Sequence, residues 1–146
     1  MVKLRTGDPW MPATQYSHTL RGLTLNLLVQ DIARSLPFHR EVLAAQVVYS
    51  DPDFAVLRYA EVEWMLHADH TYADHPLHAH LSQEMTRGIG AELRLHGRDP
   101  DKAEAAARKL GVTVLAGAKD KPHGLREVYL FDPDGYLWVV DTPLPH

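Results

Sequence analysis

The sequence predicts an α+β fold built from two tandem βαβββ modules, and three observations carry that prediction. The first is a hairpin near the C-terminus: residues 124–131 and 136–140, rich in aromatic and β-branched side chains, flank the turn Asp132-Pro133-Asp134-Gly135. Pro133 pre-sets φ, and Gly135 accepts the left-handed conformation that such a turn needs. The second is an internal repeat. Leu25-Asn26-Leu27 precedes Asp31, and Leu93-Arg94-Leu95 precedes Asp99; after each aspartate come a helix-compatible stretch and an apolar run, Val47-Val48 in one case and Val112-Thr113-Val114 in the other. The third is that each repeat closes with short apolar runs divided by turn residues, the mark of antiparallel strands.

Residues 1–21 form a leader with neither helical nor strand period, whose Trp10, Met11 and Tyr16 suit it to docking on the body or on a second subunit. The first module, residues 22–67, opens with a strand at 23–29 that places Leu23, Leu25, Leu27 and Val29 on one face and Thr24, Asn26 and Leu28 on the other. Asp31 caps a helix running through Ile32, Leu36, His39 and Leu43, with Pro37 interrupting it. His39 is expected on the helix surface or at the edge of the cleft. Strands at 46–50, 54–59 and 62–67 follow, and residues 68–88 are a histidine-rich connector in which Ser82-Gln83-Glu84-Met85 tolerates a helix. The second module, residues 89–141, has a strand at 91–96 and a helix opened by Asp99-Pro100 and stopped by Gly111. A strand at 112–115, a loop at 116–123 and the hairpin complete it, leaving residues 142–146 as a tail. With one helix on the outer face of each module, the inner faces would form a concave, cleft-bearing mixed sheet.

Composition narrows the function. A formal charge of −4 with no cluster of Lys and Arg argues against a nucleic-acid partner. The absence of cysteine excludes disulfides, thiol catalysis and thiolate zinc sites, and agrees with a cytoplasmic location. No apolar run has the length of a signal peptide or a membrane span, so a soluble protein with no membrane partner is expected. The serines sit in tail, helix or turn contexts without a nucleophile elbow, and Gly88-Ile89-Gly90 is too short to cradle phosphate.

Strand alternation supplies the candidate site. Leu93 and Leu95 claim the helix-covered face, so Glu92 and Arg94 should face the cleft, with Asn26 across from them; the plain alternative is a solvated surface pair. Buried there, the carboxylate and the guanidinium would need each other or a ligand. Glu63 sits opposite Trp64 and Leu66 in the same way, and Tyr129 lies opposite Val128 and Leu130, as a cleft-lining aromatic or an ordinary packed tyrosine. Arg126-Glu127 either closes the cleft mouth or pins the loop, and pinning is the simpler reading. His67, His70, His75, His78 and His80 have spacings that can bind zinc or nickel, but all lie on or beside one connector, where a polar loop, a lid or a subunit contact explains them as well.

The stretch Leu27-Leu28-Val29-Gln30-Asp31-Ile32-Ala33-Arg34-Ser35-Leu36 with Phe38 and Leu43, and Asp132-Pro133-Asp134-Gly135-Tyr136, together with Lys121-Pro122-His123-Gly124-Leu125-Arg126-Glu127, resemble the vicinal oxygen chelate superfamily. That group includes glyoxalase I, extradiol dioxygenases, fosfomycin-modifying transferases and bleomycin-binding resistance proteins. In its metal-dependent members the resemblance implies four His or Glu ligands around a divalent ion that stabilises an anionic intermediate. Carried onto this sequence, those positions are Thr24, Glu63 or Met65, Glu92 and Val139. Thr24 and Val139 depart from the pattern, leaving at most a partial site from Glu63 and Glu92.

The expectation is therefore a small-molecule binding protein of the glyoxalase and bleomycin-resistance type, holding a polar ligand in the cleft lined by Thr24, Asn26, Glu63, Met65, Glu92, Arg94, Tyr129 and Val139 without a cofactor. The alternative is a divalent-metal-dependent lyase or dioxygenase with a rearranged ligand set. The resemblance also implies a homodimer.

Overall fold

The computed structural model describes residues 2–81 and 86–145, so the stretch Ser82-Gln83-Glu84-Met85 lies outside the described residues. The chain forms two compact units, Met1–Ala33 with Gln46–Leu81 and Arg34–Ala45 with Ser82–His146. Among the described residues, no helix is long and apolar enough to cross a membrane.

The first unit holds a four-stranded sheet of β1 (Asn26–Val29), β2 (Gln46–Ser50), β3 (Phe54–Tyr59) and β4 (Val62–Ala68), in the order β1-β4-β3-β2. β1 runs parallel to β4 with Asn26 opposite Met65, and the other pairings are antiparallel. Alternation buries Leu27, Val29, Leu57, Trp64 and Leu66 on one face. The expected strand at 23–29 is shorter. Pairing begins at Asn26, only the Leu25 carbonyl reaches across to the Met65 N–H (2.9 Å), and Leu23 is 90% exposed. The leader's short helix α1 (Ala13–Ser17) and the preceding residues lie on this unit. Leu4 and Arg5 donate their backbone N–H groups to the buried Asp53, and Trp10 stacks on Tyr49. The described part of the connector contains two 3-10 turns, Asp69–Tyr72 and Pro76–His80.

The second unit repeats the topology. β5 (Gly88–His96), β6 (Val114–Asp120), β7 (Leu125–Phe131) and β8 (Tyr136–Pro143) are ordered β5-β8-β7-β6, with β5 parallel to β8. The identical order in both sheets is the tertiary form of the internal repeat. Helix α2 (Ile32–Pro37) continues into a π-helical turn, Phe38–Val42. Pro37 has no N–H to donate and crowds the carbonyl four residues back; the next turn widens, and the Leu43 N–H bonds the Phe38 carbonyl five residues earlier. His39 is not at a surface. It is fully buried edge-on to Trp138, and burial lowers its pKa to about 3, so it serves as a neutral core residue.

Helix α3 (Pro100–Leu110) has the predicted ends: Asp99 accepts from the Asp101 and Lys102 N–H groups, and Gly111 takes φ 77°. Its buried Ala103 and Ala107 lie on the side packed against β6, β7 and β8. Residues 116–120 are strand, not loop. Ala116-Gly117-Ala118 has weak strand propensity, but pairing with β7 and a 2.7 Å bond from the Ala118 N–H to Glu104 of α3 hold it extended. β5 starts earlier than expected, at Gly88, where an added Cβ would lie 2.4 Å from a ring carbon of Tyr136; only glycine lets the strand approach there.

The hairpin turn is anchored by the buried Asp132, which accepts from the N–H groups of Asp134 and Tyr136 and from the Trp138 indole. Arg34 donates to the Pro133 carbonyl and Ser35 to Asp134, which ties α2 to this turn. Burial pushes the Asp132 carboxyl up to about 6 despite those donors. A raised pKa gives stability that is complete below the unfolded value, about 4, and is lost as pH rises through the folded one. Asp132→Asn keeps an acceptor and cannot ionise. Wild-type minus variant stability from urea unfolding is therefore expected to fall between about pH 4 and pH 6, by on the order of 3 kcal/mol. A difference that is flat or rising over that interval overturns the assignment.

Candidate functional site

In the second sheet, register puts Arg94, Val139 and Tyr129 side by side, with His96, Asp141 and Glu127 in the next row of the same face. The opposite face carries Leu93, Leu95, Val128, Leu130, Trp138 and Val140, as alternation requires. Arg94 is the hub of the polar face. Its Nη1 donates to Glu127 at 2.5 Å and to Asp141 at 3.1 Å, its Nε to Glu92 at 3.0 Å, and its Nη2 to the Tyr129 hydroxyl at 3.3 Å. Glu127 and Asp141 are each only 1% exposed, whereas Arg94 is 31% and Glu92 42% exposed. The guanidinium thus neutralises two buried carboxylates from below and leaves Glu92 at the surface.

Two histidines flank the group: His96 Nδ1 lies 2.6 Å from Asp141, and His123 Nε2 lies 3.4 Å from Glu127. Burial pushes Glu127 up, but the hydrogen bond and charge of Arg94, with His123, reverse this and hold it below the usual carboxylate range. The Glu127 hydrogen bond in turn raises Arg94. Tyr129 is raised by burial and by the charges of Glu127 and Glu92, so it remains a neutral phenol. With three carboxylates around one guanidinium the face is net acidic. It can present hydrogen-bond acceptors from Glu92 and a phenol from Tyr129 to a molecule laid on it.

The structure brings together Glu92, Arg94, Tyr129 and Val139 in this unit. Glu127, expected from the sequence only at the cleft mouth or pinning the loop, joins them, as do Asp141, His96 and His123, which are not among the sequence-based candidates although Asp141 stands two residues beyond Val139 and His96 two beyond Arg94. Arg126 separates from Glu127 and pins the loop, binding Asp101 and Asp120.

The other candidates belong to the first unit. Asn26 donates to the Tyr72 hydroxyl and lies 2.5 Å from His67 Nδ1 through its oxygen. Glu63 is ion-paired with Arg58, Met65 lines a cavity with His67, and Thr24 sits beside Glu63 at a separate surface recess. His70 binds Asp53, and His75 caps the Pro76–His80 turn by accepting from the Leu77 N–H.

The strand pairings of the two repeats bear on the choice between residues 63 and 65. Asn26 and Arg94 each stand five residues before their capping aspartate; Asn26 faces Met65 and Arg94 faces Val139, so Met65 is the counterpart of Val139. The positions that the family resemblance implies are then Thr24, Met65, Glu92 and Val139, of which Glu92 alone carries a carboxylate or imidazole, and its Oε1 is held by Arg94. That donor set does not fit a divalent ion. Among the described residues no group of three or more His, Asp or Glu side chains is arranged to hold one.

Removing the hub should therefore be costly. Arg94→Met leaves Glu127 and Asp141 buried without a cation, and a loss on the order of 3 kcal/mol at pH 7 is expected in urea unfolding. The loss should shrink as pH falls toward 5, because an unpaired buried Glu127 takes up a proton. A loss that is negligible, or that grows in acid, contradicts the network.

Comparison with known proteins places this architecture. Residues 17–140 match the family model of the Glyoxalase/Bleomycin resistance protein/Dioxygenase superfamily. Among solved structures, a glyoxalase/bleomycin resistance protein/dioxygenase family enzyme from Burkholderia phytofirmans is similar with a TM-score of 0.68 and 21% identity, covering 83% of this chain and 97% of that one. A glyoxalase-related enzyme from Fulvimarina pelagi is similar with a TM-score of 0.65 and 18% identity, covering 84% and 87%. TioX from a Micromonospora species has a TM-score of 0.60 and 17% identity, covering 86% and 98%. Identities this low speak for the fold alone, and no curated protein matches the chain. The family model spans nearly the whole sequence and the βαβββ repeat underlies it, so the chain belongs to the Glyoxalase/Bleomycin resistance protein/Dioxygenase superfamily.

Proposed function

We propose that this chain is a small-molecule binding member of its superfamily, taking up a cationic or hydrogen-bond-donating ligand on the Glu92-Arg94-Tyr129 face without the superfamily's metal. The observation that carries this reading is the Arg94 hub. A fixed guanidinium bonded to Glu92, Glu127 and Asp141 stands beside the position where a metal ligand would be expected and where the chain has Val139. The surplus of carboxylates favours a ligand that brings positive charge or N–H groups, and the exposed Glu92 is the group left to receive it. A homodimer, in the cytoplasm, completes the proposal. Exposed Ile89 and Leu115 on the edge strands β5 and β6 offer apolar surface for the contact.

A thermal-shift panel tests the function, with metal-free bleomycin as the cationic glycopeptide probe, a glutathione S-conjugate, and catechol, each with and without added divalent metal. Stabilisation by the glycopeptide without metal, lost in Glu92→Gln, is the expected result. Metal-dependent turnover of a thiol hemiacetal or a catechol, with stoichiometric ion lost in Glu92→Ala, would establish the lyase or dioxygenase alternative instead. The dimer is checked separately by light scattering at micromolar concentration, where a monomer mass refutes it.

A further inference from the structure

The leader is attached to the first unit by few contacts. Every residue from 2 to 15 is exposed except Arg5 and Met11, so burial of apolar surface does little to hold it in place. Leu4 is 58% exposed and is held through its backbone instead. Its N–H donates to Asp53 at 2.7 Å and that of Arg5 at 3.2 Å, and the Arg5 guanidinium lies 3.6 Å from the same carboxylate. The next anchor along the chain is Trp10, which stacks on Tyr49 at 5.3 Å and lies 5.4 Å from the Tyr16 ring of α1.

The Asp53 side chain takes no part in closing its own turn. Asp51 does that, accepting from the N–H groups of Asp53 and Phe54 and from the Tyr49 hydroxyl. The fully buried Asp53 carboxylate is bonded by Leu4 and Arg5 of the leader and by His70 of the connector, 2.7 Å away. Burial pushes its pKa up, but the bonds from His70, Leu4 and Arg5 outweigh this and hold it below the usual carboxylate range. The group is therefore charged at neutral pH, and its bonds to the leader are charge-assisted.

Packing beneath the leader is incomplete. A cavity of about 210 Å³ is lined by Pro9, Trp10 and Met11 on the leader side and by Tyr49, Phe54 and Met65 on the sheet side. A segment that served only to complete the core would fill that space. At the far end, Gly22 bends the chain between α1 and β1 at φ 63°, with no atom within 4 Å of an added Cβ. Residues 21–23 are all exposed, so the leader can turn there without breaking a packed contact.

We propose that the leader is a strap that opens and closes over Phe54 and Met65, with Asp53 as its latch and Gly22 as its hinge. Met65 is a position that the family resemblance implies for a ligand, so the strap governs access to that face of the first sheet. His70 ties the same latch to the connector. The device lies wholly within the first unit and its test uses no ligand, so it stands or fails apart from the reading of the second-unit face.

The test is the rate at which hydrogen peroxide oxidises Met65 in the folded full chain, read by mass spectrometry, together with amide deuterium exchange of residues 2–10 and of β3 and β4. Leu4→Pro removes one latch N–H from a residue outside the sheet, so the body stays folded. Asp53→Asn removes the charge and one acceptor while leaving the Asp51 turn in place. In both variants Met65 sulfoxide is expected to form about tenfold faster than in the unsubstituted chain, and residues 2–10 to exchange faster, while β3 and β4 keep their protection. Unchanged Met65 oxidation in Leu4→Pro overturns the proposal, whatever Asp53→Asn does. Faster oxidation accompanied by lost protection of β3 and β4 also overturns it, because the leader is then part of the cooperative core rather than a strap.

Discussion

A single buried carboxylate organises the second unit. Asp132 receives two backbone N–H groups and the Trp138 indole, and by doing so closes the turn between β7 and β8. The turn it shapes presents the Pro133 carbonyl and Asp134 to Arg34 and Ser35, so the helix from the first half of the sequence is fastened to the last hairpin. Phe38 and His39 then pack beside Trp138, and Arg98 caps the following carbonyls of Glu41 and Val42. Each contact needs the turn to hold its shape. The cost is a carboxylate kept from water, which shows as its raised pKa.

The polar face of the same unit solves a different electrostatic problem. Glu127 and Asp141 lie almost wholly out of solvent, where unpaired carboxylates would be strongly unfavourable. Arg94 supplies the positive charge that they need. Because a guanidinium is planar and directional, it also sets where Glu92 and Tyr129 point. This arrangement presents charge and hydrogen-bonding groups on one face, with the apolar Val139 between Arg94 and Tyr129.

Much of the fold was legible from residues. The Asp132-Pro133-Asp134-Gly135 turn, the Asp99 cap, the Gly111 stop and the doubled strand-aspartate-helix pattern are local signals, and local signals survive without tertiary context. Strand alternation likewise placed Glu92, Arg94 and Tyr129 on one face, because side-chain period is a property of the strand itself. Errors fell where a neighbour overrides propensity. Residues 116–120 are extended because β7 and Glu104 hold them, and residues 23–25 stay outside the strand because pairing with β4 starts only at Asn26. His39 shows the same limit: its helical position was readable, but its burial depends on Trp138, far along the chain.

By itself, then, the sequence determined the α+β class, the tandem βαβββ order and the family resemblance, since each rests on residue identity, spacing or alternation. Tertiary structure alone decided which carboxylates share Arg94, that Met65 is the counterpart of Val139, and that the leader lines an aromatic cavity. Those facts depend on register and on contacts between residues distant in the chain. No local pattern encodes them, because long-range pairing is set by the packing of whole elements.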